Sequence, residues 1–124
     1  HIGNILWGDS GPCVVDLDDA RTAPAVQDIW MLISGDREDR TRCLHKILDG
    51  YILFRDFDAR ELHLVEALRT LRLMHYYAWI ARRWTDPAFP GFFSWFNTQR
   101  CWEEHILTLR EQAANMDEEP LRWP

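Results

Sequence analysis

The residues of this sequence best suited to chemistry are Asn4 and Asp16, which carry an amide oxygen and a carboxylate. They flank two apolar runs, Ile5-Leu6-Trp7 and Cys13-Val14-Val15, which are joined by Gly8-Asp9-Ser10-Gly11-Pro12. Glycine and proline around Asp and Ser are typical of a tight turn, so the segment predicts a β-hairpin. Two oxygen ligands at the open end of a hairpin would suit a hard cation such as Mg²⁺, which completes its shell with water and substrate phosphates.

Whether these oxygens meet depends on how the two strands pair. A symmetric hairpin places Asn4 opposite Asp16, and directly opposed residues have Cβ atoms about 4.5–5.5 Å apart. If the second strand continues beyond Asp16, Asp18 lies on the same face and could contact the same cation or its water. A solvated loop carboxylate is an equally good interpretation of Asp18, and the better one for Asp19.

The rest of the chain is predicted to be helical. Apolar residues recur at spacings of three and four between segments rich in Gly, Pro and Asp, which is the pattern of amphipathic helices. We therefore predict a mainly α fold in which a short N-terminal β-hairpin precedes a helical bundle. The predicted helices cover residues 25–34, 37–54, about 60–83 and 99–116, an aromatic loop covers residues 85–97, and the tail 117–124 is irregular.

Polar residues that could cap these helices precede three of them. Asp36 could cap the second helix, and Thr98 is one of two candidates for the last one. Asp58, followed by Glu61, is similar to a capping box in which Asp replaces Ser or Thr.

The apolar pattern also predicts which helix faces are buried. The helix at about residues 60–83 is apolar almost all round, which predicts a position at the centre of the bundle. The prolines of the aromatic loop argue against regular helix there. The predicted inner residues of the first helix are Val26, Ile29, Trp30 and Ile33, and those of the last helix are Trp102, Ile106 and Leu109.

Composition limits the classes of protein. A length of 124 residues suffices for one domain with a core, and 47% hydrophobic residues with seven Trp argue against a disordered chain. The net charge is −6 without an extended basic run, which argues against nucleic-acid binding through phosphate neutralisation. No apolar run approaches the roughly 20 residues of a membrane span. We thus expect neither nucleic acid nor membrane as a partner.

The chain has three cysteines, Cys13, Cys43 and Cys101. They are far apart and lack a Cys-x-x-Cys spacing, which argues against a disulfide framework and against a zinc site. We expect buried or half-buried thiols in a reducing cytoplasm.

His1-Ile2-Gly3-Asn4, the hairpin and Val15-Asp16-Leu17-Asp18-Asp19-Ala20 together resemble the catalytic segment of the aminoglycoside/choline phosphotransferase-like kinases. That superfamily carries H-G-D-x-H-x-G-N and then an apolar strand that ends in D-[FLW]-x-x-A. Downstream segments are similar to the stress-response branch of bacterial Ser/Thr protein kinases within it. Those segments are Ala23-Pro24-Ala25-Val26-Gln27-Asp28-Ile29-Trp30, Ser34-Gly35-Asp36-Arg37, Arg60-Glu61-Leu62, Ala81-Arg82-Arg83-Trp84 and Asp86-Pro87-Ala88-Phe89-Pro90.

The resemblance implies roles for four residues. Asp16 matches the Asp that chelates Mg²⁺, and Asn4 matches the catalytic-loop Asn that holds the second Mg²⁺. His1 matches the second His of the motif and would orient the loop. Asp28 would accept hydrogen bonds from the backbone of the catalytic loop, although a favourable interaction with the helix N-terminus is an alternative.

The resemblance also implies a single domain, the C-terminal part of a kinase C-lobe, with residues 1–20 as a metal-binding hairpin, 24–116 as a helical subdomain and 117–124 as a tail. In such kinases the general-base Asp, the Gly-rich phosphate loop and the ATP-contacting Lys precede the position of His1. We therefore expect the complete enzyme to transfer the ATP γ-phosphoryl group to a protein Ser/Thr hydroxyl with Mg²⁺, and this chain alone to be inactive. The alternatives are a kinase for a small alcohol, such as an aminoglycoside, choline or homoserine, and a non-catalytic helical interaction module or pseudokinase remnant.

Overall fold

The computed structural model describes residues 2–18 and 20–124, and it confirms the predicted fold class of a hairpin followed by helices. Two compact units make up the chain, one of residues up to Val65 together with Pro120–Pro124, and one of Glu66–Glu119. The elements are strands β1 (Ile5–Gly8) and β2 (Gly11–Val14), helices α1 (Val26–Ile29), α2 (Arg37–Tyr51), α3 (Val65–Arg82), α4 (Ala88–Phe92) and α5 (Gln99–Met116), and 3₁₀ segments at Ile2–Asn4, Trp30–Leu32 and Ala59–Leu64.

The hairpin pairs its strands one residue away from the symmetric register. Gly8 pairs with Gly11, and the Val15 amide donates to the Asn4 carbonyl oxygen at 2.9 Å. The predicted pairing of Asn4 with Asp16 is therefore wrong. The cause lies in the turn, where Gly11 has a φ of +105° after two residues with negative φ. Only Asp9 and Ser10 form the loop, because Gly8 pairs with Gly11 and not with Pro12 as the symmetric register requires.

The first helical segment buries the residues predicted for it. Val26, Ile29, Trp30 and Ile33 each have at most 5% of their surface exposed. The α-helix is shorter than predicted, since it gives way to a 3₁₀ turn and then to extended backbone at Ile33. In the same unit, Leu44 and Leu48 of α2 are fully buried, so these apolar side chains form the core of that unit.

Three carboxylates bind backbone amides at helix starts, two of them as predicted and one not. Asp36 caps α2 by accepting a hydrogen bond from a first-turn amide at 2.9 Å. Asp58 is the N-cap of the 3₁₀ segment Ala59–Leu64, as predicted. Glu61 does not complete a capping box, because its Oε2 accepts from the Val26 amide of α1 at 3.0 Å. Asp58 accepts from the backbone and side chain of Arg60, and these hydrogen bonds lower the pKa of Asp58 to about 2.

Helix α3 was predicted to be enclosed on all sides, but part of its apolar surface is exposed. Ile80 is fully buried, but Leu71 has 62% and Met74 has 54% of its surface exposed. Around Ile80 the packed residues are Tyr77 and Trp79 of α3 itself and Trp84, Phe89, Phe93, Phe96 and Cys101. None of the described helices combines the length and the apolar content that crossing a bilayer requires.

The aromatic loop contains a short helix that its prolines were expected to prevent. In α4, Pro90 lies in the first turn, where the missing N–H costs no intrahelical hydrogen bond. Helix α5 has the predicted bounds and is capped by Thr98, whose hydroxyl accepts from the Cys101 amide at 3.1 Å.

The buried face of α5 differs from the predicted one. Its buried residues are Cys101, His105 and Gln112, whereas Trp102 and Ile106 are exposed and Leu109 is half-buried. The two polar residues are buried because each has a partner. Gln112 Nε2 donates to Glu66 Oε2 at 2.7 Å, and the His105 ring stacks on Tyr77 with centroids 3.5 Å apart.

All three cysteines are free thiols. Cys101 is buried and Cys43 is half-buried, as predicted, but Cys13 is exposed. The expectation was wrong for Cys13 because most residues of both hairpin strands lie at the surface.

The burial of His105 is expected to make the stability of the Glu66–Glu119 unit depend on pH. Burial lowers the pKa of this ring from its usual 6.5, so the unfolded chain binds a proton at a higher pH than the folded one. Stability is therefore expected to fall as the pH drops through 6.5 towards the lowered pKa. Urea denaturation followed by circular dichroism at several pH values measures this slope.

A matched pair of variants tests whether His105 causes this pH dependence of stability. The His105→Phe variant keeps a ring against Tyr77 and should flatten the pH dependence, whereas the exposed His63→Phe should leave it unchanged. A slope that persists in the His105 variant would show that another group is responsible.

Candidate functional site

Asn4 and Asp16 meet at the open end of the hairpin, although the register differs from the predicted one. Asn4 Nδ2 donates a hydrogen bond to Asp16 Oδ2 at 3.2 Å. Strand β2 ends at Val14, and Asp16 has a φ of +62°, a left-handed conformation that Asp adopts more readily than most residues. This change of backbone direction returns the carboxylate towards Asn4.

The pair can supply two oxygen ligands to one cation. Asp16 is exposed and Asn4 is half-buried, so a hydrated ion can reach both. In the present arrangement, the Asn4 amide N–H offsets part of the carboxylate charge. Rotation about the last side-chain bond of Asn4 would exchange Nδ2 for Oδ1. The donor set then fits Mg²⁺, which commonly takes one or two protein oxygens and obtains its other ligands from water and phosphate.

Asp18 does not share a strand face with Asp16, and that expectation was wrong because β2 ends at Val14. It is exposed in a turn that the Ala20 amide closes on the Leu17 carbonyl at 3.0 Å. Across residues 2–18 and 20–124, no three His, Cys, Asp or Glu side chains gather to hold a metal ion. The candidate centre therefore consists of Asn4 and Asp16.

The structure describes only one of the three remaining candidates, which is Asp28. His1 and Asp19 lie outside the described residues. Asp28 is exposed in the first turn of α1, and its side chain forms no hydrogen bond within the described part of the chain. Sequence reasoning missed Glu61, which binds the Val26 amide of the same helix. No local pattern reveals this contact, because the two residues are 35 positions apart.

Known proteins match this chain along almost its whole length. Stress response kinase A of Escherichia coli K12 is 49% identical over 122 residues, and a serine/threonine protein kinase RdoA of Salmonella typhimurium is 47% identical over 122 residues. Each match covers 98% of this chain but only 37% of the relative, so the chain spans little more than a third of the length of these relatives. The relatives are named as kinases, as the motifs predicted.

The segment that contains the candidate centre also matches a family model. The model of the phosphotransferase enzyme family matches residues 1–65, which include the hairpin, α1 and α2. That match covers more than half of the 124 residues and confirms the superfamily that the motifs predicted. The chain belongs to the phosphotransferase enzyme family.

Proposed function

We propose that this chain is the C-terminal, metal-binding part of a Ser/Thr protein kinase that uses ATP and Mg²⁺. The observation that carries the proposal is the meeting of Asn4 and Asp16 within the segment that the phosphotransferase family matches. Relatives named as stress response kinases and as a serine/threonine protein kinase support a protein hydroxyl as the acceptor. By the same analogy, we place the protein in the cytoplasm, with no membrane or nucleic-acid partner.

In this proposal, Asp16 holds Mg²⁺ through its carboxylate and Asn4 holds it through Oδ1. A Mg²⁺ ion held there would supply positive charge to offset the negative charge that develops on the transferred phosphoryl group. The part played by the chain is to hold the two ligand side chains in place. The hydrogen bond from the Val15 amide to the Asn4 carbonyl, at 2.9 Å, continues the pairing of the strands and so fixes the two ligands relative to each other.

Two further residues support the same site in the proposal. Asp28 accepts hydrogen bonds from the backbone of the catalytic loop, and its exposed carboxylate has no competing partner in residues 2–18 and 20–124. His1 orients that loop. Asp18 is the weaker candidate for a third ligand, since it lies beyond the end of β2.

The chain by itself is expected to bind Mg²⁺ weakly and to transfer no phosphoryl group. Mg²⁺ gives up its water reluctantly and is normally held by one or two carboxylates together with nucleotide phosphates. In kinases of this type, the phosphates are delivered by a Gly-rich loop and a Lys that precede the matched motif. Calorimetric titration with Mg²⁺ and incubation with labelled ATP and a generic protein substrate measure both properties. Micromolar affinity without nucleotide would indicate a preformed site, and metal-dependent transfer would refute the expected inactivity.

Variants of Asn4 in the full-length protein distinguish a metal ligand from a hydrogen-bonding residue. The Asn4→Asp variant keeps an oxygen ligand but loses the N–H donor, whereas Asn4→Ala loses both. A ligand role predicts that Asn4→Ala lowers the transfer rate by about 100-fold. It also predicts that Asn4→Asp is less affected and recovers as Mg²⁺ is raised. Asn115→Ala, on α5, is the control and should match the parent protein.

The opposite order would contradict the proposal. If Asn4 only stabilises the hairpin, Asn4→Asp places two carboxylates side by side and should be at least as damaging as Asn4→Ala. Transfer to choline, homoserine or an aminoglycoside, but not to protein, would assign a small alcohol as the substrate. Absence of transfer to any acceptor by a folded full-length protein would favour a non-catalytic module.

A further inference from the structure

A shallow cavity of about 200 Å³ lies on α3 and is lined by Arg72, His75, Tyr76 and Trp79. Residues three or four positions apart share one face of an α-helix, so two adjacent turns supply all four side chains. None of them belongs to the candidate metal centre. The cavity therefore requires a separate explanation.

One side of the cavity carries the guanidinium of Arg72 and the imidazole of His75. Arg72 and His75 are exposed, and within the part of the chain that the structure describes neither side chain forms an ion pair or a hydrogen bond. Helix α3 carries three arginines and one glutamate, in a chain whose net charge is −6. That glutamate, Glu66, is already bonded to Arg69 and Gln112. The local field on this helix therefore favours an anion.

The other side of the cavity is aromatic and held by packing. The rings of Tyr76 and Trp79 lie within 9° of parallel, with centroids 6.5 Å apart, and Tyr76 also stacks on Trp95. The Arg83 guanidinium lies over the Trp79 ring, 4.7 Å from its centroid. Because neighbouring rings already restrict Tyr76 and Trp79, a ligand ring would meet a surface that needs little ordering.

We propose that this cavity binds an aromatic phosphate, with the phosphate on Arg72 and His75 and the ring against Tyr76 and Trp79. A guanidinium can donate two parallel hydrogen bonds to phosphate oxygens. Charge alone gives little affinity in water, so the aromatic side has to contribute. The cavity is smaller than the roughly 300–1,000 Å³ of sites for drug-sized ligands, and it therefore suits a single ring. This inference does not depend on the proposed kinase activity.

Titration with four probes tests the proposal. Two probes carry both a ring and a phosphate, one carries only the phosphate, and one carries only the ring. Phenyl phosphate, a short phosphotyrosine peptide, inorganic phosphate and phenol are added to the ¹⁵N-labelled chain, and the Trp79 indole N–H signal is followed. Phenyl phosphate is expected to bind at least about tenfold more tightly than inorganic phosphate or phenol, because stacking and charge-assisted hydrogen bonds act on one molecule. If the phosphotyrosine peptide binds more tightly than phenyl phosphate, the natural ligand is a modified protein side chain. If phenyl phosphate binds more tightly, the natural ligand is a small molecule.

Inorganic phosphate that binds as well as phenyl phosphate would mean an adventitious ion only, and would overturn the proposal. Among variants, Arg72→Gln should weaken phenyl phosphate binding by about tenfold or more. Tyr76→Leu should weaken phenyl phosphate but not inorganic phosphate. Arg110→Gln, an exposed change of the same charge on α5, is the control. Unchanged binding by folded Arg72→Gln also overturns the proposal, and if that variant does not fold, His75→Gln and Tyr76→Leu decide.

Discussion

Replacing Asp16 by Asn in the full-length protein is expected to lower the rate of phosphoryl transfer by about 100- to 1,000-fold. The substitution keeps the size of the side chain but removes the negative charge that would hold the proposed metal ion. A metal ion contributes several kcal/mol of charge stabilisation in such reactions, and each 1.36 kcal/mol corresponds to a tenfold change in rate. Single-turnover rates at saturating Mg²⁺ measure the effect on the chemical step.

Two neighbouring carboxylates serve as controls for Asp16. Asp9 is exposed in the turn between the strands, and Asp18 is exposed beyond β2. Asp9→Asn should leave the rate unchanged, and Asp18→Asn should reduce it far less than Asp16→Asn. Similar losses in Asp16→Asn and Asp18→Asn would mean that the metal ligand has been assigned to the wrong residue.

Truncation of Leu48 to Ala is expected to reduce the free energy of unfolding by about 2–5 kcal/mol. Leu48 is fully buried in α2, so the variant loses apolar burial and leaves a cavity. Domains of this size are typically stable by only about 5–15 kcal/mol, and the variant should therefore be close to unfolding. Urea denaturation followed by far-ultraviolet circular dichroism measures the change.

Leu53→Ala is the matched control, because the same atoms are removed from a side chain that is 77% exposed. Its cost is expected to stay within about 0.5 kcal/mol. A comparable loss in both variants would contradict the assignment of Leu48 to the core and of Leu53 to the surface.

Local patterns were sufficient to predict the helices and much of the core. The bounds of α5 and the cap Asp36 follow from residues that are close in sequence, and so does the burial of Ile29 and Ile33. Such features depend on apolar spacing and on side chains next to a helix end. Sequence alone can therefore specify them.

Features that depend on distant partners could not be predicted in this way. The buried face of α5 includes His105 and Gln112 because Tyr77 and Glu66 are positioned to receive them. Polar residues give no periodic signal of burial, so the apolar pattern selected a neighbouring face. Much of α3 is exposed for a similar reason, since the apolar pattern of a helix does not show how much of its surface other elements will bury.

Asn4 and Asp16 lie in contact, as the sequence predicted, but through a different strand register. Direct pairing of Asn4 with Asp16 does not occur, because Gly8 pairs with Gly11 and leaves a loop of only two residues. The two side chains still meet, since the left-handed backbone at Asp16 compensates for the shift. Backbone conformation at a single Asp cannot be inferred from apolar alternation.

Selective broadening by Mn²⁺ tests the central claim, that Asn4 and Asp16 form one cation site, most directly. Mn²⁺ shares the oxygen ligands of Mg²⁺ and relaxes nearby nuclei even when it binds weakly. In the chain labelled with ¹⁵N-asparagine, we expect the side-chain amide signal of Asn4 to broaden before those of Asn97 and Asn115. We expect this selectivity to disappear in Asp16→Asn. Equal broadening of all three signals, or selective broadening of Asn4 that survives in Asp16→Asn, would contradict the account.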